Sequence, residues 1–345
     1  MSIPVKNIYY MLSYAFQELK NDTYKNVGTE SFDNVVDMCA AILIKGVSLQ
    51  LKRGLGRDYI DNMESLSMLR GKIEMGESIR TLSMQRMQIV CSFDEFSLNT
   101  KMNRILKSTM RLLLSADVKP IRKKELKKLL VYFNDLDLLD LNRIDWRFKF
   151  NKNNQPYRLL MGICNLVVDG LLQTQENGTK RLMNFLDEQK IWKLYEKFVL
   201  AYYKKHYGQF HPDAKQIKWP IDEGYDDTLP KMQSDIMLTR DSKVLIIDTK
   251  HYSSSMQVHF DKHTIHSHNL YQIFTYVKSK EYWLAKKAVF HEVSGMLLYA
   301  KTDEDISPDC DLMMSGNKFV VRTLDLNCDF TQIKEQLDKI VQDYL

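Results

Sequence analysis

One heptapeptide constrains this chain more than any other: Val244-Leu245-Ile246-Ile247-Asp248-Thr249-Lys250. Four consecutive branched apolar residues are what a strand buried on both faces requires. Such a strand has no internal use for an acid and a base at its end, yet both stand there. Side chains at i and i+2 of a strand project to the same side, so Asp248 and Lys250 point into one space at the strand terminus. A carboxylate there can ligate a hard cation, and an ammonium beside it can orient water and offset phosphate charge. D-x-K alone says little, because Asp and Lys are common; its surroundings carry the reading.

Asp235 supplies a second carboxylate. It opens Asp235-Ile236-Met237-Leu238, and Arg240-Asp241-Ser242 separates that run from the Val244 strand. This is hairpin spacing, which can set Asp235 beside the end of the next strand. Two carboxylates on one divalent ion lower the pKa of bound water and leave positions open for phosphate oxygens. The ligands are oxygens, so magnesium suits the set better than zinc, with the backbone carbonyl of Thr249 as a further ligand. Downstream, Gln272 and Tyr276 lie four apart and share a helix face. Upstream, Glu196 sits on the helix preceding the hairpin and can add a third carboxylate; its bland alternative is a solvated charge. The order is helix with Glu, strand with Asp, strand with D-x-K, helix with Q-x-x-x-Y.

Along the chain, two helices are expected in residues 1–50, the second from Val35 to Leu51. Arg53-Gly54-Leu55-Gly56 breaks the pattern. Short segments from Tyr59 to Phe96, among them Gly71–Met75 and Gln88–Phe93, read as strands of a small sheet or barrel. Helical spacing returns at Asn99–Leu114, Arg122–Phe133 and Tyr157–Leu172. The polar Gln175-Glu176-Asn177-Gly178-Thr179 is the best linker candidate. A long helix follows from about Asp187 to Tyr207, then strands around a turn-rich insert (Asp222 to Pro230), a helix near Asn269–Lys280, a strand at Val293–Tyr299 and a closing helix from about Thr331 to Tyr344. The expectation is an α/β protein: an N-terminal domain of helices and a small sheet or barrel, 1–184, to which the family resemblance given below assigns an adaptor role, and a C-terminal domain carrying the D-x-K strand, 185–345, which that resemblance makes the nuclease.

With 345 residues the chain can bury two cores. No apolar run reaches the length of a membrane span, and the first twenty residues read as an amphipathic core helix, not a signal peptide. Five scattered cysteines without a C-x-x-C pair suggest neither a zinc ribbon nor a disulfide framework, and a reducing cytosol as the compartment. The net charge of +5 is uneven, about +8 over residues 1–184 and about −3 over 185–345, so much of any DNA affinity must come from outside the C-terminal half or from a partner.

The ordered constellation resembles the PD-(D/E)xK nucleases, with Ser234-Asp235 in place of Pro-Asp and Asp248 as the second acid; its Q-x-x-x-Y helix resembles that of RecB-like nucleases. A more specific resemblance begins at Ile3-Pro4-Val5-Lys6-Asn7-Ile8-Tyr9-Tyr10-Met11-Leu12, continues through Arg70-Gly71-Lys72-Ile73, Phe93-Asp94-Glu95 and Asn103-Arg104-Ile105-Leu106-Lys107, and ends with His266-Ser267-His268-Asn269-Leu270-Tyr271-Gln272. Over nearly its whole length the chain resembles McrC, the nuclease subunit of McrBC-type modification-dependent (type IV) restriction systems. The resemblance implies a Mg2+-dependent endonuclease that cuts double-stranded DNA only with a separate AAA+ GTPase of the McrB type. It implies that the N-terminal part docks into that hexameric ring and stimulates its GTPase. The chain has no G-x-x-x-x-G-K-[ST] phosphate loop and so cannot supply that motor. The rivals are a stand-alone repair nuclease and a non-catalytic assembly factor.

Three other features have bland alternatives. The basic run Arg122–Lys128 reads as the solvated face of a helix, with contact to DNA phosphates the alternative. His259, His263, His266 and His268 invite a zinc reading, but without cysteines or a closing carboxylate pattern they fit better a mobile loop over the site, with His266 or His268 near phosphate. Tyr9, Tyr10, Tyr14 and Phe16 read as core or protein interface ahead of base stacking.

Overall fold

The computed structural model describes residues 3–16, 19, 24, 27–28, 30–176, 188–224, 228–250, 257–259, 262–287, 290–301 and 308–345. Helix α1 (Val5–Ala15) buries Ile8, Met11 and Leu12 at helical spacing. Then follow α2 (Val35–Arg53), β1 (Asp58–Leu66), β2 (Lys72–Ile73), α3 (Met75–Arg80), β3 (Ile89–Ser97), α4 (Lys101–Ser115), α5 (Pro120–Leu130) and α6 (Tyr157–Glu176). The remainder comprises α7 (Glu188–His206), β4 (Gln216–Ile217), β5 (Met232–Gln233), β6 (Ile236–Arg240), β7 (Lys243–Lys250), β8 (Gln257–His259), β9 (Lys262–Thr264), α8 (Ser267–Ala285), β10 (Glu292–Ala300), β11 (Cys310–Met314), β12 (Asn317–Leu324) and α9 (Phe330–Tyr344). Among the described residues no helix is long and apolar enough to cross a membrane.

The chain forms two compact units, Asn34–Lys180 and Met1–Asp33 with Arg181–Leu345. A single N-terminal domain spanning 1–184 is therefore corrected at its start, since α1 belongs with the C-terminal unit. The cause is its aromatic face. Tyr10 stacks on Phe330 at 4.5 Å between ring centres, and the Tyr14 ring meets Phe198 edge-on at 5.5 Å. Asn7 Nδ2 donates to the carbonyls of Leu326 and Cys328, each at 2.8 Å, pinning the turn before α9. The Tyr9, Tyr10 and Tyr14 cluster is thus internal packing. Of the linker expected at 175–179, residues 177–179 lie outside the described residues, while Gln175 and Glu176 end α6.

In the unit Asn34–Lys180, β1, β3 and β2 form an antiparallel sheet in that spatial order. The strand expected over Gly71–Met75 shortens to Lys72–Ile73, because Gly71 turns into it at φ +70° and Met75 already begins α3. A Cβ on Gly71 would stand 2.4 Å from the Ser92 carbonyl oxygen, so only glycine fits. The helices join the loop before β1 through Asn103, whose Nδ2 donates to the carbonyls of Gly56 and Leu98 at 2.8 Å. Tyr157 OH donates to Asn103 Oδ1 at 2.6 Å. The basic run splits: Lys124, Lys127 and Lys128 are exposed, whereas Arg122 is buried and pairs with Asp37 of α2, Nη1 to Oδ2 at 2.6 Å. Asp37 Oδ1 accepts from the Lys119 amide at 3.0 Å.

The other unit is built on a five-stranded sheet, ordered β11-β12-β10-β7-β6. β10 runs parallel to β7 and β12, while β6 and β11 are antiparallel edges. β7 is buried along its length after Lys243, as its apolar run requires. Ile246, Val293, Leu297 and Phe319 face Ile273 and Val277 of α8, which comes close enough that a Cβ on Gly295 would stand 2.7 Å from Val277 Cγ2. The β11–β12 hairpin is absent from the sequence-based layout. Its turn, Ser315-Gly316, takes φ of 50° and 84°, the left-handed pair that a two-residue hairpin demands.

Candidate active site

The β6–β7 hairpin sets the two acids together. Arg240 pairs with Lys243 across a two-residue turn, and Ile236 pairs with Ile247, so Asp235 arrives opposite Asp248. Asp235 Oδ2 accepts from the Thr249 amide at 2.7 Å and the Thr249 hydroxyl at 2.8 Å. Ser234, where the resembled motif has proline, donates its amide and hydroxyl to the Lys215 carbonyl at 3.2 Å, holding the approach to Asp235.

Asp248 is 1% exposed and Lys250 6%. Lys250 Nζ lies 2.7 Å from Asp248 Oδ2, as the i, i+2 spacing predicts. That ammonium also donates to Gln272 Oε1 at 2.9 Å, and Gln272 Nε2 donates to Tyr276 OH at 2.8 Å. The Q-x-x-x-Y face of α8 is thereby joined to the D-x-K strand in one chain of polar contacts. Although ion-paired, Asp248 Oδ2 is buried with no hydrogen bond of regular geometry.

Electrostatics mark the same place. Burial pushes the Asp248 carboxyl up to about 6 against the pull of Lys250, with neighbouring Asp235 adding to the rise. Asp235 is also raised by burial, partly offset by its bonds from Thr249. Glu196, on α7, rises to about 7 through burial and then through the negative charge of Asp235. All six sequence-predicted side chains thus belong to one neighbourhood, Glu196 by its electrostatic coupling to Asp235 and Asp248. Among the described residues no three His, Cys, Asp or Glu side chains close into a metal cluster.

The donor set still fits magnesium. Mg2+ keeps several waters and takes one or two carboxylates, so two acids with an orphaned buried oxygen are sufficient. The Thr249 carbonyl accepts from Trp192 Nε1 at 3.2 Å, which leaves one of its two lone pairs for a ligand role. The histidine reading is only partly addressable: His259 and His263 side chains lie outside the described residues, while His268 is exposed beside the start of α8 and His266 is half-buried there.

Sequence reasoning missed three supports. Trp192 stands one turn before Glu196 and shares its helix face, a signal available from spacing. Asn269, three residues before Gln272, donates to Tyr299 OH at 2.9 Å, and Tyr299 sits opposite Lys250 in the β7–β10 register. Tyr195 OH donates to the Leu298 carbonyl at 3.3 Å, tying α7 to the sheet.

Comparison with known proteins gives a consistent family. The family described as McrBC 5-methylcytosine restriction system component matches residues 5–299. The Escherichia coli (strain K12) type IV methyl-directed restriction enzyme EcoKMcrBC is 28% identical over 349 residues, covering 99% of this chain and 98% of that protein. Among solved structures, a chain of the Thermococcus gammatolerans assembly of McrB AAA+ hexamers with bound McrC aligns with a TM-score of 0.53 at 16% identity. The alignment covers 99% of this chain and 76% of that one, a likeness of fold.

Proposed function

The chain belongs to the McrBC family of restriction system components, and from that premise we propose that it is the DNA-cutting, McrC-type subunit, a Mg2+-dependent endonuclease of the PD-(D/E)xK kind. It cuts double-stranded DNA when a GTP-hydrolysing AAA+ partner of the McrB type engages it, and it stimulates that partner's GTPase. The observation that carries the reading is the convergence of Asp235, Asp248 and Lys250 at the end of a buried strand.

Asp235, Asp248 and the Thr249 carbonyl would hold the metal. Bound there, Mg2+ supplies Lewis acidity and a lowered pKa for coordinated water. Lys250 presents an ammonium where a phosphate oxygen gains charge, and Gln272 fixes its direction through the 2.9 Å bond. Tyr276 in turn holds the Gln272 amide. Glu196, with a pKa of about 7, is poised to exchange a proton near neutral pH.

The unit Asn34–Lys180 is the proposed docking module. Its sheet region leaves Tyr59, Met68, Leu69, Ile79 and Met87 more than half exposed. Exposed large apolar side chains, methionines among them, suit an adaptable protein interface. The test is plasmid cleavage with Mg2+, with and without the AAA+ partner and GTP, comparing the chain with Lys250→Ala. Cutting that needs both the partner and Lys250 is the expected result. Efficient cutting without the partner would replace this reading with a stand-alone nuclease. GTPase stimulation with no cutting under any condition would replace it with an adaptor.

A further inference from the structure

The chemistry above leaves three lysines unused near the C-terminal half of α8. Lys280 continues the stripe of Gln272 and Tyr276 at the next four-residue step, ~12 Å along the helix axis from Gln272. Lys215 comes to α8 with β4: Ile217, two residues on, packs with Tyr276 and Val277, and the Lys218 carbonyl accepts from Trp283 Nε1 at 3.1 Å, so this segment runs along the C-terminal half of the helix. The Lys215 carbonyl is the one that accepts from Ser234, immediately before Asp235. Lys287 lies just beyond the end of α8. The three are close enough that the charges of Lys215 and Lys287, after burial, lower the pKa of Lys280.

Such a group is costly without a counter-charge, since Lys280 is half-buried among like charges. Among the described residues none of the three has a carboxylate within ion-pair distance. The acids nearest in sequence are engaged elsewhere: Asp213 pairs with Lys204 at 3.6 Å. Glu281 takes Lys278 at 2.7 Å and Asn317 Nδ2 at 3.0 Å, and Asp222 accepts from Tyr282 OH. A solvated lysine face would be exposed throughout and would avoid burying one of its members. What satisfies this one is an external anion, held beside a site that handles phosphodiesters.

We infer that Lys280, Lys215 and Lys287 form a phosphate-binding subsite that grips the DNA backbone beside the cutting site. Successive phosphates of one strand wind about the axis and stand further apart than its ~3.4 Å rise, so the gripped phosphate is about two nucleotides from the one at the carboxylates. The inference rests on the nuclease reading for its placement, and the subsite itself is tested by binding alone.

The test uses the full chain carrying Asp248→Asn, which suppresses cleavage, and a fluorescent DNA duplex titrated over a range of NaCl concentrations. Lys280→Met keeps the half-buried stem and removes the charge; it is combined with Lys215→Met, and Lys280→Arg serves as the charge-conserving control. The double variant should lower affinity at least tenfold at low salt and reduce the log–log salt slope by about 1, since the subsite holds one phosphate and each phosphate contact contributes ~0.9. The arginine variant should keep both. An unchanged slope and affinity, or no measurable DNA binding by the parent chain, would overturn the subsite. Inorganic phosphate raising the melting temperature of the parent but not of Lys280→Met, with DNA binding equal in both, would make it a free-anion site and also overturn the inference. Cleavage by chains with Asp248 intact, assayed with Mg2+, the AAA+ partner and GTP, separates the two readings. If the unaltered chain cuts and the lysine variants bind normally, only the subsite falls; if it never cuts yet the slope drops, the subsite stands and the nuclease reading falls.

Discussion

Each unit of this molecule buries an acid against a base, and the two pairs are built to opposite ends. In the unit Asn34–Lys180, Asp37 meets Arg122 at 2.6 Å and also takes the Lys119 amide. Both carboxylate oxygens are satisfied and the guanidinium keeps the charge fixed. In the other unit, Asp248 meets Lys250 at 2.7 Å, but its Oδ2 lacks a regular hydrogen bond and a second acid stands beside it. The first pair fastens α2 to α5. The second is under-satisfied, which suits the proposed role of holding a cation, because a fully satisfied carboxylate has no lone pair to offer.

The contrast can be broken by mutation. Asp248→Ala should reduce partner-dependent cleavage by about a thousandfold or more, since metal binding supplies several kcal/mol of charge stabilisation. Partner binding and GTPase stimulation should persist, measured by co-elution and phosphate release. Loss of all three together would make Asp248 a structural residue. Asp37→Ala should do the reverse, costing about 3–5 kcal/mol in denaturant unfolding because Arg122 stays buried without its carboxylate. A chain that unfolds at an unchanged midpoint would show the two pairs to be alike.

A smaller effect sharpens the comparison through pH. The Asp248 carboxyl, held by burial at about 6, lies above the ~4 of an unfolded aspartate. The folded chain therefore retains a proton that the unfolded chain has already lost. That contribution is complete below the unfolded value and disappears as pH rises through about 6. Without metal, unfolding free energy should fall by on the order of 1–2 kcal/mol between pH 5 and pH 8, and Asp248→Asn should flatten the fall. Equal slopes for both proteins in urea titrations would contradict it.

The grouping of the candidate site residues was legible in the sequence because strand geometry is strict. A period of two places Asp248 with Lys250, hairpin spacing brings Asp235 alongside, and a four-residue helical step unites Gln272 with Tyr276. The supports were less visible, since each depends on which strands become neighbours. Tyr299 meets Lys250 only through the parallel β7–β10 register, which no local pattern encodes. Arg122 was misjudged for a related reason: within a run of lysines it looks solvated, and only the packing of α5 on α2 buries it. Likewise the block Ile3–Leu12 resembles the family closely, yet nothing in it announces that Asn7 ties down residues 326 and 328.

That long-distance tie has a consequence in time. Helix α1 is synthesised before the Asn34–Lys180 unit, its partner α7 only after the whole of it, and the Leu326 acceptor of Asn7 comes 319 residues after that asparagine. At ordinary translation rates of ~5–20 residues per second, the interval from α1 to α7 is roughly 10–35 s. The intervening unit is therefore fully synthesised before the unit that carries the candidate site can close around α1. A ribosome that stops early releases a chain without β10, β12 or α9, and so without the sheet that holds the D-x-K strand in place. The interrupted layout makes synthesis of β10, β12 and α9 a precondition for an organised candidate site.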